Sequence, residues 1–236
     1  MRHAETADVQ MNLLRTVKRG IITSGLPPAP RIVFFNALLS FGQWLKKHPA
    51  PVHLASRERL YEYVYGNLNG EPFDYLEAGV FHGDSMRCWT QLSQNPGSRF
   101  FGFDTFTGLP EAWKTGLNTI AAGHFNVDGV LPAIQDERVR FIKGRFQDTI
   151  PGFLSSYCPQ KNLVIHCDAD LYTSTMFFLA SLHSVMSAGT YLLFDNFSVA
   201  PHDFRAFCDY TESFCRTYDV VATAEVDFEK IAFRLK

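Results

Sequence analysis

The stretch Phe73-Asp74-Tyr75-Leu76-Glu77-Ala78-Gly79-Val80-Phe81-His82-Gly83-Asp84-Ser85 decides the fold. Its first five residues form a strand-like run, Phe73–Glu77, and the glycines at 79 and 83 turn the chain before a helix begins. Strand-like runs recur downstream at Arg99–Asp104, Val139–Ile142, Leu163–Asp168 and Thr190–Asp195, each separated from the next by helical sequence. Such alternation predicts an α/β domain built on a doubly wound, mostly parallel sheet. The tail departs from it: Asp219–Ala222 and Lys230–Leu235, joined by a short polar segment, read as an antiparallel hairpin added at one edge. Upstream the sequence is helical, at Val9–Lys18, at Arg31–Lys47 after the Pro27-Pro28-Ala29-Pro30 breaker, and at Arg57–Asn67 with Ser56 as N-cap. We expect residues 1–68 to form a helical cap and substrate lid, and residues 69–236, after the Asn69-Gly70 turn, to form the cofactor-binding domain.

The glycine turn carries the first chemical signal. Glycines let the backbone approach a ligand, and the N-terminus of the following helix presents free N–H groups to an anion. A dinucleotide site would have glycine at the first position of the fingerprint, where this chain has Glu77. A carboxylate there repels a pyrophosphate and attracts an ammonium group. Asp104, at the end of the second strand, is suited to accept hydrogen bonds from ribose hydroxyls. Glu77 as a salt-bridged or capping carboxylate and Asp104 as a turn residue are the structural alternatives. The acid, the turn and the second acid together favour a nucleoside bearing an amino acid, S-adenosylmethionine.

A second signal lies at two other strand ends, Asp168-Ala169-Asp170 after Leu163–Cys167 and Asp195-Asn196 after Thr190–Phe194. Ligands of open α/β sheets bind outside the carboxyl ends of strands, so these acids can converge on one ion. Carboxylate and amide oxygens suit Mg²⁺ or Ca²⁺. Read from the residues alone, a metal site and a set of helix caps and turn formers are equally open.

Composition excludes other classes. The 236 residues are 46% hydrophobic and 19% charged, with a formal net charge of −2 and no basic run, which argues against nucleic acid and against an electrostatic membrane anchor. Met1-Arg2-His3-Ala4-Glu5 lacks the apolar core of a signal peptide, and the oily stretch Ile32–Phe41 is too short to span a bilayer. A cytoplasmic location is expected. The five cysteines are odd in number and form no C-x-x-C pair, so neither a disulfide framework nor a zinc ribbon is indicated.

E-x-G-x-x-x-G-x-S at Glu77–Ser85, FDTFTGLP at Phe103–Pro110, KGRFQDTIP at Lys143–Pro151, DADLYTST at Asp168–Thr175 and the Asp195-Asn196 pair resemble the macrocin O-methyltransferase (TylF-type) family. That family comprises class I S-adenosylmethionine enzymes that methylate sugar hydroxyls on natural products. The strand-end Asp-Asn pair is also similar to metal-dependent catechol O-methyltransferases. The resemblance spans about residues 70–200 and implies a Rossmann-like class I methyltransferase fold with a seven-stranded sheet. It implies that Glu77 and Gly79 line the methionine end of the cofactor, that Ser85 lies near its carboxylate, that Asp104 holds the ribose and that Gln147 meets the adenine edge. Phe81 and Phe146 are candidates to pack on the cofactor, and Asp148 is expected to cap the next helix. By the same match Asp168, Asp195 and Asn196 are metal ligands. TylF-type enzymes generally carry two acids where this chain has Asp195-Asn196, and the lysine base of the catechol enzymes has no counterpart among Ala169, Asp170 and Leu171.

These roles imply an O-methyltransferase for a small-molecule hydroxylated acceptor, sugar-containing or polyhydroxylated, with Mg²⁺ or another divalent cation lowering the pKa of the acceptor hydroxyl. Asp170 resembles the TylF-type general base, against an alternative role as N-cap of a helix through Thr173–Met186. His124 and His166 are alternative bases, His166 reading more readily as a core histidine. The long segment Gly108–Asp136 is a candidate lid. Trp44 and Trp113 offer flat faces to a sugar or aryl ring, with packing an equal alternative for each. No nucleic-acid or membrane partner is expected, and a homodimer is compatible with the sequence. A metal-independent methyltransferase and a catalytically silent cofactor-binding module are the competing readings.

Overall fold

A computed structural model describes residues 14–25, 30–116 and 118–236. The first half of the expected helix Val9–Lys18, residues 9–13, lies outside the described residues; residues 14–24 are helical. The helices are α1 (Pro30–Lys47), α2 (Arg57–Gly66), α3 (Asp84–Leu92), α4 (Phe146–Leu154), α5 (Tyr172–Leu182) and α6 (Asp203–Ser213). The strands are β1 (His53–Leu54), β2 (Phe73–Ala78), β3 (Arg99–Asp104), β4 (Trp113–Lys114), β5 (Thr119–Ile120), β6 (Val139–Lys143), β7 (Asn162–Cys167), β8 (Tyr191–Phe194), β9 (Tyr218–Ala224) and β10 (Lys230–Leu235).

The main sheet runs β1-β9-β10-β8-β7-β2-β3-β6. Strands β6, β3, β2, β7 and β8 are mutually parallel, and β10 is antiparallel to both β8 and β9. The sheet has one strand more than the seven expected, because His53–Leu54 pairs in parallel with the outer edge of β9. Two residues make too short a run to read as a strand in sequence.

Alternating residues feed two cores, as the two-residue period of a strand requires. Leu76, Ala78, Phe103, Ile165 and Cys167 join the core under α1, α5 and α6, while Phe73, Tyr75, Phe100 and Val164 join the one under α2 and α3. Trp44 belongs to the first core and offers no face to a ligand. It packs on Phe197, Phe204, Phe207 and Phe233, and its indole N–H donates to the Tyr218 hydroxyl at 3.0 Å.

Three local expectations shift. Strands β7 and β8 end at Cys167 and Phe194, so Asp168 and Asp195 stand just past the ladder instead of closing it. Asp148 is not the cap of α4: Arg145 holds that position, and Asp148 pairs with it across the first turn at 2.9 Å. Asp170 does not cap α5 either. Leu171 is its N-cap residue, and the Tyr172 N–H is taken by Nδ1 of His202 at 3.1 Å.

Candidate active site

The carboxyl ends of β2, β3, β7 and β8 open into one cavity of about 660 Å³, a size typical of small-molecule sites. One end is formed by the turn after β2. Gly79 and Phe81 line it, both with left-handed backbone (φ 85° and 51°), together with Val80, Asp104, Phe146 and Gln147. A Cβ at Gly79 would run into the carbonyl oxygen of Asp168, so glycine is what lets the β2 turn and the β7 end lie against each other.

Asp104 fixes that turn. Its Oδ2 accepts from the N–H groups of Val80 and Phe81 at 2.8 and 2.9 Å, and its Oδ1 accepts from Phe106 at 2.7 Å. Its carboxylate therefore organises backbone first, with acceptor capacity left on the cavity side. Glu77 and Ser85, read in sequence as cofactor-lining residues, are absent from the cavity wall. They are buried beneath the turn, where the Ser85 hydroxyl donates to Glu77 Oε1 and Glu77 Oε2 has no donor. Side chains alternate along β2, and Glu77 falls on the face of Phe73 and Tyr75, in the packing layer below the ligand space.

The other end gathers Asp168, Asp170, Asp195 and Asn196. Asp170 sits at the centre of a γ-turn, with φ 61° and a Leu171 N–H to Ala169 carbonyl bond of 2.6 Å, an uncommon conformation for a residue with a side chain. The Nδ2 of Asn196 donates to Asp170 Oδ1 at 2.8 Å, leaving the amide oxygen of Asn196 free. Burial, reinforced by the Asp203 and Asp195 carboxylates, pushes Asp170 up to about 8. Burial and Asp195 likewise push Asp168 well above the carboxylate range, and burial raises Asp203 to about 7. Asp195 moves the opposite way. Burial would raise it, but His166, Lys230 and Arg57 outweigh that and hold it low.

The donor set fits a divalent cation. Oxygens of Asp168 and Asp195 lie within 4.8 Å of one another, and beside them Asn196 turns its Nδ2 toward Asp168 Oδ1, which accepts at 3.5 Å. Five carboxylates, Glu77, Asp168, Asp170, Asp195 and Asp203, share this region with three cationic side chains, Arg57, His166 and Lys230. Burial, only partly offset by these cations, is what raises Asp168, Asp170 and Asp203, and hard oxygen donors suit Mg²⁺ or Ca²⁺.

His166 is wholly buried beneath the floor. Its Nε2 lies 3.1 Å from Asp195 Oδ1 and its Nδ1 lies 2.7 Å from the Tyr75 hydroxyl and 3.4 Å from Glu77 Oε1. Burial works against its charge, but hydrogen bonds to Asp195 and Glu77 overcome this and raise it to about 10. His124 is exposed and does not line the cavity. Two cations that belong to no motif in the sequence complete the site: Lys230 Nζ donates to the Asp195 carbonyl at 2.6 Å and lies 3.3 Å from Oδ2, and Arg57 lies 3.7 Å from Oδ2. The wall beside these acids is Arg57, Glu111, Trp113, Phe125 and Thr173. Trp113 and Phe125 come from the Gly108–Asp136 segment, whose β4–β5 hairpin carries Gly116 against the ring of Phe34 on α1.

A family model described as a methyltransferase domain matches residues 76–197, the span from β2 past β8. The chain belongs to that family. Among curated relatives, a rhamnosyl-tetracenomycin C 4′-O-methyltransferase of Streptomyces olivaceus is 29% identical over 160 residues, covering 58% of this chain and 59% of the relative. Demethyldecarbamoylnovobiocin O-methyltransferase of Streptomyces niveus is 28% identical over 169 residues, covering 62% and 61%. The chain thus spans about three fifths of the length of these relatives. The crystal structure of CalS11, a calicheamicin methyltransferase, superposes with a TM-score of 0.61 at 19% identity, over 85% of this chain and 91% of the other, and shows the same fold. The methyltransferase fold and the doubly wound sheet expected from the sequence are therefore established. Among the described residues no helix is long and apolar enough to cross a membrane.

Proposed function

We propose that this chain is an S-adenosylmethionine-dependent O-methyltransferase of the macrocin type, acting in the cytoplasm on a hydroxyl of a sugar-containing or polyhydroxylated small molecule with the help of Mg²⁺. The observation that carries this reading is the single cavity with two unlike ends, a glycine turn held by Asp104 at one and Asp168, Asp170, Asp195 and Asn196 at the other. The names of the curated relatives support it, one being an O-methyltransferase of a rhamnosyl-tetracenomycin and the other of demethyldecarbamoylnovobiocin.

Gly79, Phe81, Asp104 and Gln147 would hold the cofactor, and Asp168, Asp195 and the free amide oxygen of Asn196 would hold the cation. Bound there, the cofactor supplies an electrophilic methyl group and the cation a Lewis acid for a hydroxyl of low acidity. Asp170 would take the acceptor proton: it lines the cavity, it accepts from Asn196, and burial raises its carboxyl to about 8, which suits a proton that moves near neutral pH. Trp113 and Phe125 would screen the acceptor from water, with the β4–β5 hairpin, backed by Phe34 of α1, acting as the lid.

A metal-independent variant is favoured by one observation, the ammonium of Lys230 and the guanidinium of Arg57 already flanking Asp195. Calorimetry with S-adenosylhomocysteine, followed by turnover of rhamnosylated acceptors with Mg²⁺ or with excess EDTA, tests both. Cofactor binding with activity abolished by EDTA is the expected result. Full activity in EDTA would favour the second reading, and the absence of cofactor binding would overturn both.

A further inference from the structure

Beneath the cavity floor a buried polar chain joins its two ends. His166 and Glu77 are neighbours across the β7–β2 ladder, and Tyr75 stands two residues before Glu77 on the same face of β2. The Tyr75 hydroxyl donates to Glu77 Oε1 at 3.0 Å and lies 2.7 Å from His166 Nδ1. On the other side of the ring, Nε2 lies 3.1 Å from Asp195 Oδ1, the same oxygen that receives the Tyr61 hydroxyl at 3.4 Å.

The Nε2 side of the ring has one consistent reading. Tyr75 has a single hydroxyl proton, which either Glu77 Oε1 or His166 Nδ1 can accept, and in both arrangements Nε2 donates to the Asp195 carboxylate, an acceptor only. With Nε2 turned to Asp195 and Nδ1 against Tyr75, the ring presents no nitrogen to the cavity, although it lies close to both Asp168 and Asp195.

We propose that His166 is a positioning residue for the cation site: its Nε2–H anchors Asp195 Oδ1 and so fixes the orientation in which this carboxylate meets the cavity it lines. This inference rests on the proposed cation site. Residues that orient a metal ligand from behind commonly contribute ~10- to 100-fold to metal affinity. The rest of the Asp195 environment agrees with the assignment, since Lys230 and Arg57 approach the other oxygen and leave Oδ1 to His166 and Tyr61.

The test is Mn²⁺ binding to the full chain by calorimetry and electron paramagnetic resonance, with S-adenosylhomocysteine affinity as the control. His166→Gln keeps a donor long enough to reach Asp195, His166→Asn keeps only the one nearer Tyr75, and His166→Phe keeps the ring's bulk without a donor. We expect Mn²⁺ affinity to fall in the order wild type, Gln, Asn, Phe, with about 10- to 100-fold lost at the end of the series and S-adenosylhomocysteine affinity unchanged within about threefold. A space-filling role predicts the reverse order, with Phe closest to wild type, and that result would overturn the proposal. If burial of unpaired carboxylates prevents the Phe variant from folding, the Gln and Asn pair decides: equal Mn²⁺ affinities in the two would overturn it. Wild-type protein that binds S-adenosylhomocysteine and no Mn²⁺ would instead remove the cation site, and this inference with it.

Discussion

Replacing Asp170 with Asn separates chemistry from architecture. The amide retains an oxygen for the Asn196 Nδ2 bond of 2.8 Å, and asparagine tolerates the left-handed backbone of φ 61° better than most residues. Folding and cofactor binding should therefore persist while turnover falls by about 10²- to 10⁴-fold, the usual cost of losing a general base. Stability should move the other way. The Asp170 carboxyl is raised from 3.8 to about 8 by burial and by the Asp203 and Asp195 carboxylates. The metal-free folded state thus keeps a proton that the unfolded chain releases between those values, and stability falls as pH rises through that window. At pH 7 the penalty amounts to roughly 4 kcal/mol, taking about 1.4 kcal/mol per unit. Asp170→Asn removes it, so the variant should be more stable than wild type in EDTA at pH 7 and its stability should depend less on pH between 4.5 and 8. Part of the slope should remain, because burial raises Asp203 to about 7 as well. The assay pairs urea unfolding across pH with single-turnover rates on a confirmed acceptor. A near-native rate would take Asp170 out of the mechanism, and an unchanged pH slope would refute the burial argument.

Gly79→Ala should cost more than the ~1–2 kcal/mol of left-handed backbone strain, because its Cβ meets the Asp168 carbonyl; a drop in melting temperature together with weakened S-adenosylhomocysteine binding is expected, and an unperturbed variant would contradict the close approach of the two strand ends. Trp44→Ala should destabilise by about 3–5 kcal/mol in urea unfolding while leaving cofactor affinity intact, since the ring fills the core beside Phe197, Phe204 and Phe233; selective loss of acceptor binding at native stability would return Trp44 to the site.

What the sequence made legible was whatever period and chain order encode. The apolar runs ending at Asp104, Asp168 and Asp195 gave the parallel sheet, and an open sheet brings such ends together whatever the side chains do. Gly79, Phe81, Asp104, Gln147, Asp168, Asp170, Asp195 and Asn196 accordingly share one cavity. Side-chain direction near a strand's end is not encoded that way. Glu77 precedes the turn by two residues and falls on the packed face with Tyr75, so an acid that reads as a cofactor ligand lies under the floor.

The cations that set the electrostatics were hidden for a related reason. Arg57 comes from the helical segment before the domain, and Lys230 from the last strand of the sheet, 35 residues after the carboxylate it meets. Neither belongs to a local motif; both reach Asp195 because β10 inserts beside β8 and α2 packs on β9 and β10. Lys230 shows why this matters for chemistry. Without it and His166, Asp195 would share the fate of Asp168 and Asp170 and be held protonated by burial, and a protonated carboxyl is a poor ligand for a hard cation. The sheet order therefore does more than gather donors: it delivers, from distant parts of the chain, the positive charge that keeps one of them ionised before any cation arrives.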